Sequence, residues 1–177
     1  MAGVFGHQGV VKPGIIRPSE GRVAGSNPAT LTIVAAQSWH TGTIARRMRQ
    51  IDKLECACNN DDPKTALRRS LRISLVSCTA LVDGRPEAMF GVAPLNALEG
   101  LGSPWFLGTD VVFDHPRALL TIGPRYLKMV EGYFPRLKNR VHRDNDRAIR
   151  LLRRWGFTVG CDEVNLGGEP FVEFWKG

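Results

Sequence analysis

Apolar residues recur along this chain with two different periods, and the switches between them mark the elements. The run Leu31-Thr-Ile-Val-Ala35 has the short β-branched character of a strand. Residues 39–58 follow at helical spacing, with Ile44, Met48, Ile51 and Leu54 recurring on one side. Asp61-Asp62-Pro63 supplies an acidic cap and a first-turn proline, and Ala66, Leu67, Ser70, Leu71 and Ser74 continue as a second amphipathic helix. Two β-rich runs, residues 75–82 and 87–92, flank Asp83-Gly84-Arg85-Pro86, and Asp-Gly between such runs predicts a hairpin. Residues 104–113 read as a further strand, 124–134 as a helix burying Tyr126, Leu127, Val130, Tyr133 and Phe134, and 137–142 as a short strand. From Asn145 the period is helical again. Asn145 is placed to cap, Ala148, Ile149, Leu152 and Trp155 form the apolar stripe, and Gly156 can take the left-handed stop conformation. The order β, α, α, β, β, β, α, β, α, β predicts one mixed α/β domain spanning residues 31–177.

Residues 1–30 break this pattern. Nine glycines and prolines, from Gly3 to Pro28, interrupt them without either period, which predicts an irregular arm outside the core. Gly25-Ser26-Asn27-Pro28 can be encoded by GGTTCGAATCC, the usual T-arm sequence of a transfer RNA gene, and Arg17-Pro-Ser-Glu-Gly-Arg22 by a sequence that pairs as an anticodon stem. The expectation is that this arm reads through a transfer RNA gene at a phage integration site, with the natural start near Leu31. Codons unable to form those stems would dispose of the idea.

Composition adds three constraints. A chain of 177 residues with 43% hydrophobic content suffices for one ordinary core. Its net charge of +7, mostly from arginine, suits an anionic partner: nucleic acid, a phosphate-bearing cofactor or an acidic protein surface. No apolar run approaches the roughly 20 residues needed to cross a bilayer, and the start lacks a secretory layout, so the expected location is the cytoplasm and not a membrane. Cys56, Cys58, Cys78 and Cys161 are too sparse for a disulfide framework or a metal site and read as reduced structural thiols.

The segment Asn145-Asp-Arg-Ala148 through Gly156-Phe157 resembles the signature of the GNAT acyltransferase superfamily, in which asparagine after a strand is followed by alanine three on and by Gly-Phe at the helix end. The element order extends that resemblance from Leu31 to the C-terminus. Finer features are similar to a phage branch, the internal virion protein A-like family. These are Met48-Arg-Gln-Ile-Asp52-Lys-Leu-Glu55, the Pro63 to Ser74 helix, Asp83-Gly84-Arg-Pro-Glu-Ala-Met-Phe-Gly91 and Trp105-Phe-Leu-Gly-Thr109.

The resemblance implies a mostly antiparallel central sheet flanked by helices, and acetyl-CoA as the cofactor. It implies cofactor contacts from a splayed strand edge around Val112, from a phosphate cradle around Arg117, Gly123 and Arg125, and from Asn145. Two departures stand out. Where the family's cradle places glycines after its arginine, this chain has Leu120 and Ile122, whose side chains obstruct a close backbone approach to phosphate. Where many members carry a tyrosine that protonates the leaving thiolate, this chain has Leu152, which cannot donate a proton. Tyr126 and Tyr133, the only tyrosines, fall on an apolar stripe. On the acceptor side, Arg49, Asp52 and Glu55 share one helix face, where the carboxylates could bind or deprotonate an amine or could simply be a solvated charged face. His115 and His142 read as surface or strand-edge residues. Three functions follow as expectations. One is a phage or prophage protein, internal to the virion or acting in morphogenesis, with weak or no catalysis and with structural proteins or packaged DNA as partners. Another is an acetyl-CoA-dependent N-acetyltransferase acting on a protein or small amine. The third is direct nucleic-acid recognition, for which Arg147, Arg150, Arg153 and Arg154 cover a helix face but no aromatic-and-basic interleaving or reading motif accompanies them.

Overall fold

A computed structural model describes residues 30–177; the expected arm otherwise lies outside the described residues. Seven strands form one sheet in the order β1-β2-β3-β4-β5-β7-β6, where β1 is Leu31–Ala35, β2 Val76–Val82, β3 Arg85–Asn96, β4 Leu101–Gly108, β5 Arg136–His142, β6 Thr158–Leu166 and β7 Glu169–Lys176. Every pairing is antiparallel except β4 with β5. The fold class is therefore the one expected, a single α/β domain with a mostly antiparallel sheet. Asp83 and Gly84 both take positive φ, 49° and 78°, and connect Val82 to Arg85 as the Asp-Gly signal predicts.

Helices cover both faces. On one lie α1 (His40–Arg47), α2 (Gln50–Cys58) and α3 (Pro63–Ile73), packed through Ile44, Met48, Cys56, Ala66 and Leu67 onto Met89 and Trp105. On the other lie α4 (Pro116–Glu131) and α5 (Asp146–Arg154), over the larger core that includes Phe90, Val92, Leu127, Val130, Leu137, Phe157 and Phe174. Asp62 caps α3, accepting from the N–H groups of Lys64 and Thr65. None of the helices among the described residues is long and apolar enough to cross a membrane.

Four expectations are corrected. The helix read across residues 39–58 is two helices, because Met48 and Arg49 take extended ψ of 142° and 146° and the Arg49 N–H bonds the Gly108 carbonyl instead of its own helix. The helix read from Pro124 begins at Pro116. An interior proline costs about 3 kcal/mol, so local propensity favours a start at Pro124, but Leu119 and Ile122 belong to the same buried stripe as Tyr126, Leu127 and Val130, and core packing overrides it. The strand read through Phe113 stops at Gly108, followed by a 3-10 turn, Asp110–Asp114. Finally, the chain ends in a hairpin rather than one strand; its β6 arm carries a bulge between Val159 and Glu163.

The β4–β5 seam positions everything that follows. Only Leu101↔Arg136 and Gly102↔Leu137 pair across it, after which the strands diverge. A cavity of about 360 Å3 opens in the splay and is lined from both faces of the sheet.

Candidate functional site

The β3–β4 ladder fixes which groups of β4 face the splay. Thr109 donates to the Glu87 carbonyl, so the alternation of an antiparallel ladder turns the N–H and C=O groups of Gly108, Phe106 and Pro104 toward β5. Two of these three residues are already engaged. The Pro104 carbonyl accepts from the Asn139 side chain of β5 at 2.8 Å, and proline has no N–H to offer. Gly108 donates to Asp52 Oδ2 at 2.9 Å and accepts from the Arg49 N–H at 3.0 Å. Phe106 is left as the residue whose backbone pair faces the cavity.

The Arg49, Asp52, Glu55 face of α2 crosses the splay. Asp52 is fully buried, with Oδ1 on Arg49 Nη2 and Oδ2 on Arg49 Nε and the Gly108 N–H. Burial pushes its carboxyl up to about 6, against the pull of Arg49 and of the Gly108 N–H. Arg49 also reaches Asn145 Oδ1 at 3.4 Å and lies over the Phe113 ring, 4.3 Å from its centroid. One turn on, Glu55 Oε1 accepts from Asn145 Nδ2 at 2.9 Å and from the His142 N–H at 3.1 Å. Burial pushes the Glu55 carboxyl up, while the Asn145 amide and the His142 N–H pull it down. A single helix face thus ties the end of β4 to the end of β5 and to the start of α5.

These contacts give the two carboxylates different surroundings. Glu55 lines the cavity, with no hydrogen bond or ion pair to its Oε2 among the described residues, whereas Asp52 is sealed behind Arg49 with both oxygens taken. Asn145 serves Glu55 and Arg49 and also accepts from the Ala148 N–H at the start of α5. The solvated charged face considered for this helix is not what forms.

Solved structures share the overall fold. The ribosomal-protein-S5-alanine acetyltransferase from Vibrio fischeri matches with a TM-score of 0.59 over 88% of this chain and 96% of its own, at 11% identity. A GNAT-family acetyltransferase from Bacillus anthracis matches at 0.60 over 84% and 94%, with 10% identity. The aminoglycoside acetyltransferase AAC(6')-Ib, in complex with coenzyme A, matches at 0.58 over 83% and 94%, with 13% identity. The chain has the GNAT fold. No family model and no curated protein matches the sequence.

On this GNAT frame the residues expected to hold cofactor are dispersed. Val112 is fully buried in the 3-10 turn rather than on a strand edge, because β4 ends four residues before it. Arg117 sits exposed in the first turn of α4, and Arg125 lies eight residues further on, about 12 Å along the axis. Gly123 is mid-helix. A Cβ there would stand 2.0 Å from Trp155 Cε2, so its missing side chain admits the indole, whose Nε1 donates to the Leu119 carbonyl. Only Arg117 stands at the helix start, where the unpaired N–H groups of a first turn favour anions; Pro116 removes one of them.

Leu152 lines the cavity, as does Tyr126, whose hydroxyl is buried against the Val76 carbonyl at 3.5 Å; Tyr133 is exposed. His142, read as a surface or strand-edge residue, is the last residue of β5 and is buried rather than at the surface: its Nδ1 accepts from the Asp144 N–H and its ring meets Phe171 edge-on. The site residues that sequence reasoning missed are Phe106, Phe113 and Asn139. Asn139 had a readable signal, since it interrupts the inward apolar phase of Leu137 and Val141.

The thiols are unpaired, as expected. Burial pushes Cys56 up to about 12 and Cys78 up to about 11, so neither forms a reactive thiolate near neutrality. Iodoacetamide should label exposed Cys161 in the native protein and leave Cys56 and Cys78 unmodified, as read by peptide mass spectrometry; rapid native labelling of Cys56 would contradict its burial.

Proposed function

We propose that this chain binds an acyl-coenzyme A in the β4–β5 splay and transfers the acyl group to an amine held by Glu55. Glu55 carries the reading: its carboxylate is fixed in the cavity wall by Asn145 and the His142 N–H, with a second oxygen left for a ligand. The cavity and the Phe106 backbone pair fit an amide-bearing arm. For the phosphates the fit rests on Arg117 and the α4 start rather than on a glycine cradle. Bound acyl-CoA would supply the activated thioester. Glu55 accepts the proton of the incoming ammonium, the Phe106 N–H is turned toward the splay where carbonyl charge develops, and Leu152 leaves the thiolate's proton to water. Calorimetric titration with acetyl-CoA, followed by an acetyl-transfer assay on a panel of amines, tests this. Glu55→Gln should keep cofactor binding while lowering kcat by about 10²- to 10⁴-fold. Wild-type protein that fails to bind acetyl-CoA at millimolar concentration would sink the reading.

A second reading is favoured by one specific observation. Gly108, at the end of the strand edge, has both backbone groups occupied by Arg49 and Asp52, which suits a frame kept for packing rather than turnover. That observation bears only on catalysis, which would be weak or absent; the role of a phage or prophage protein, virion-internal or acting in morphogenesis in the host cytoplasm, rests on the sequence resemblance alone. Mass spectrometry of purified particles decides it: absence from particles removes the virion version.

A further inference from the structure

We propose that the exposed face of α4 and α5 binds the phosphate backbone of double-stranded DNA without reading sequence. Both helices lie on one face of the sheet and touch through Trp155, whose Nε1 reaches Leu119 of α4. On α5 the exposed arc is built from Arg147, Arg150, Arg153 and Arg154, while Ile149 and its neighbours turn inward. On α4, Arg117 and Lys128 lie eleven residues apart, three helical turns, and so share one solvent stripe about 16 Å long.

Of these six cations only Arg147 has an ion pair among the described residues, a 3.3 Å contact with Asp110. Arg117, Lys128, Arg150, Arg153 and Arg154 have none within 4 Å. The acidic residues of these two helices stand at their ends: Asp146 in the first turn of α5, and Glu131 at the end of α4, where Lys176 holds it. Leu120 is the one large apolar residue of α4 or α5 that is exposed, and Tyr133 just beyond the end of α4 is the single exposed aromatic beside them, so the two helices carry no cluster of aromatic anchors on which a protein partner would dock. Four of the five free cations are arginines, whose planar fork suits phosphate oxygens. Two neighbouring basic ridges with no base-reading motif match the sequence-independent, counterion-releasing mode of duplex binding.

The opposite layer supplies the control. α3 also carries an exposed basic row, Lys64, Arg68 and Arg72, likewise without ion pairs among the described residues, but it stands alone on the other face of the sheet with Asp61 and Asp62 at its start, so it tests whether location rather than charge alone decides. The test is fluorescence anisotropy on a labelled 20-base-pair duplex of arbitrary sequence from 50 to 200 mM salt. Binding should weaken with a steep log–log salt slope. The triple variant Arg150→Glu, Arg153→Glu, Arg154→Glu should lose at least tenfold in affinity and between about 2 and 3 in slope. Arg68→Glu with Arg72→Glu should change both little, and circular dichroism confirms that each variant folds. An absence of binding at 50 mM salt, an equal loss from the α3 pair, or equal competition by polyglutamate overturns the proposal. Because Arg117 is also placed at the coenzyme A phosphates, the competition is run on Arg117→Ala: displacement of the duplex from that variant by coenzyme A would assign the α5 cations to the cofactor instead, and likewise overturns the proposal.

Discussion

Asp52→Ala should cost this protein about 3–5 kcal/mol of folding stability, the range for removing one partner of a buried ion pair. The substitution leaves the Arg49 guanidinium, 5% exposed as a residue, without its carboxylate, and strips the Gly108 N–H of its acceptor. Asn145 Oδ1 and the Phe113 ring remain beside Arg49, but neither carries a formal charge. Against a total of roughly 5–15 kcal/mol for a domain of this kind, that loss brings the chain near its unfolding threshold. Urea unfolding at pH 7 measures it. The double variant Arg49→Met with Asp52→Leu separates charge from packing: it should be clearly less destabilised than Asp52→Ala, because no unpaired charge is buried. A loss below about 1 kcal/mol for Asp52→Ala would mean that water reaches Arg49.

Gly123→Ala is the second large effect, and its sign should depend on a residue 32 positions away. In an ordinary helix interior this change stabilises by about 1 kcal/mol. Here the new methyl would stand 2.0 to 2.4 Å from three indole atoms of Trp155, and real Cβ atoms do not approach so closely. Either α5 shifts or the indole is expelled with loss of its bond to the Leu119 carbonyl, so the net cost should be about 2–3 kcal/mol. In a Trp155→Leu background the same change should become neutral or stabilising. A double-mutant cycle by thermal unfolding reads the coupling directly. Additive effects would show that Trp155 does not pack on Gly123 in solution.

Local signals in the sequence were decoded well because each needs only its neighbours. Asp62-Pro63 starts α3, Asp83-Gly84 makes its hairpin, and Asn145 caps α5 before Gly156 stops it at φ +82°. What misled was chemistry settled at long range. Nothing local breaks a helix at Met48-Arg49; the break follows from the Arg49 N–H bonding Gly108, which lies in another element. The sheet's alternation likewise decides that Phe106 rather than Val112 faces the cavity, and it appears only once the β3–β4 register is fixed. Gly123 read as a phosphate-cradle glycine because sequence shows a missing side chain but not the indole that fills its place. The helical spacing of Arg49, Asp52 and Glu55 was legible; that their face is buried against the splay, with Asp52 sealed and Glu55 open, was not.

The seam between β4 and β5 also bears on how the chain reaches its native state. With two residue pairs across it, the sheet is nearly two separate antiparallel halves, β1 to β4 and β5-β7-β6; β1–β2 and β5–β7 close longer connections, but β2–β3, β3–β4 and β6–β7 are hairpins of strands adjacent in sequence. Local pairing of that kind closes short loops and is quick to form. Joining the halves then falls to the core they share and, at the splay, to the contacts that Arg49 and Glu55 make with His142 and Asn145, whose partners are 87 to 96 residues apart in sequence. Those few bonds mark the boundary along which the two halves would part in sub-global opening, so amide exchange should be able to distinguish one half of the sheet from the other.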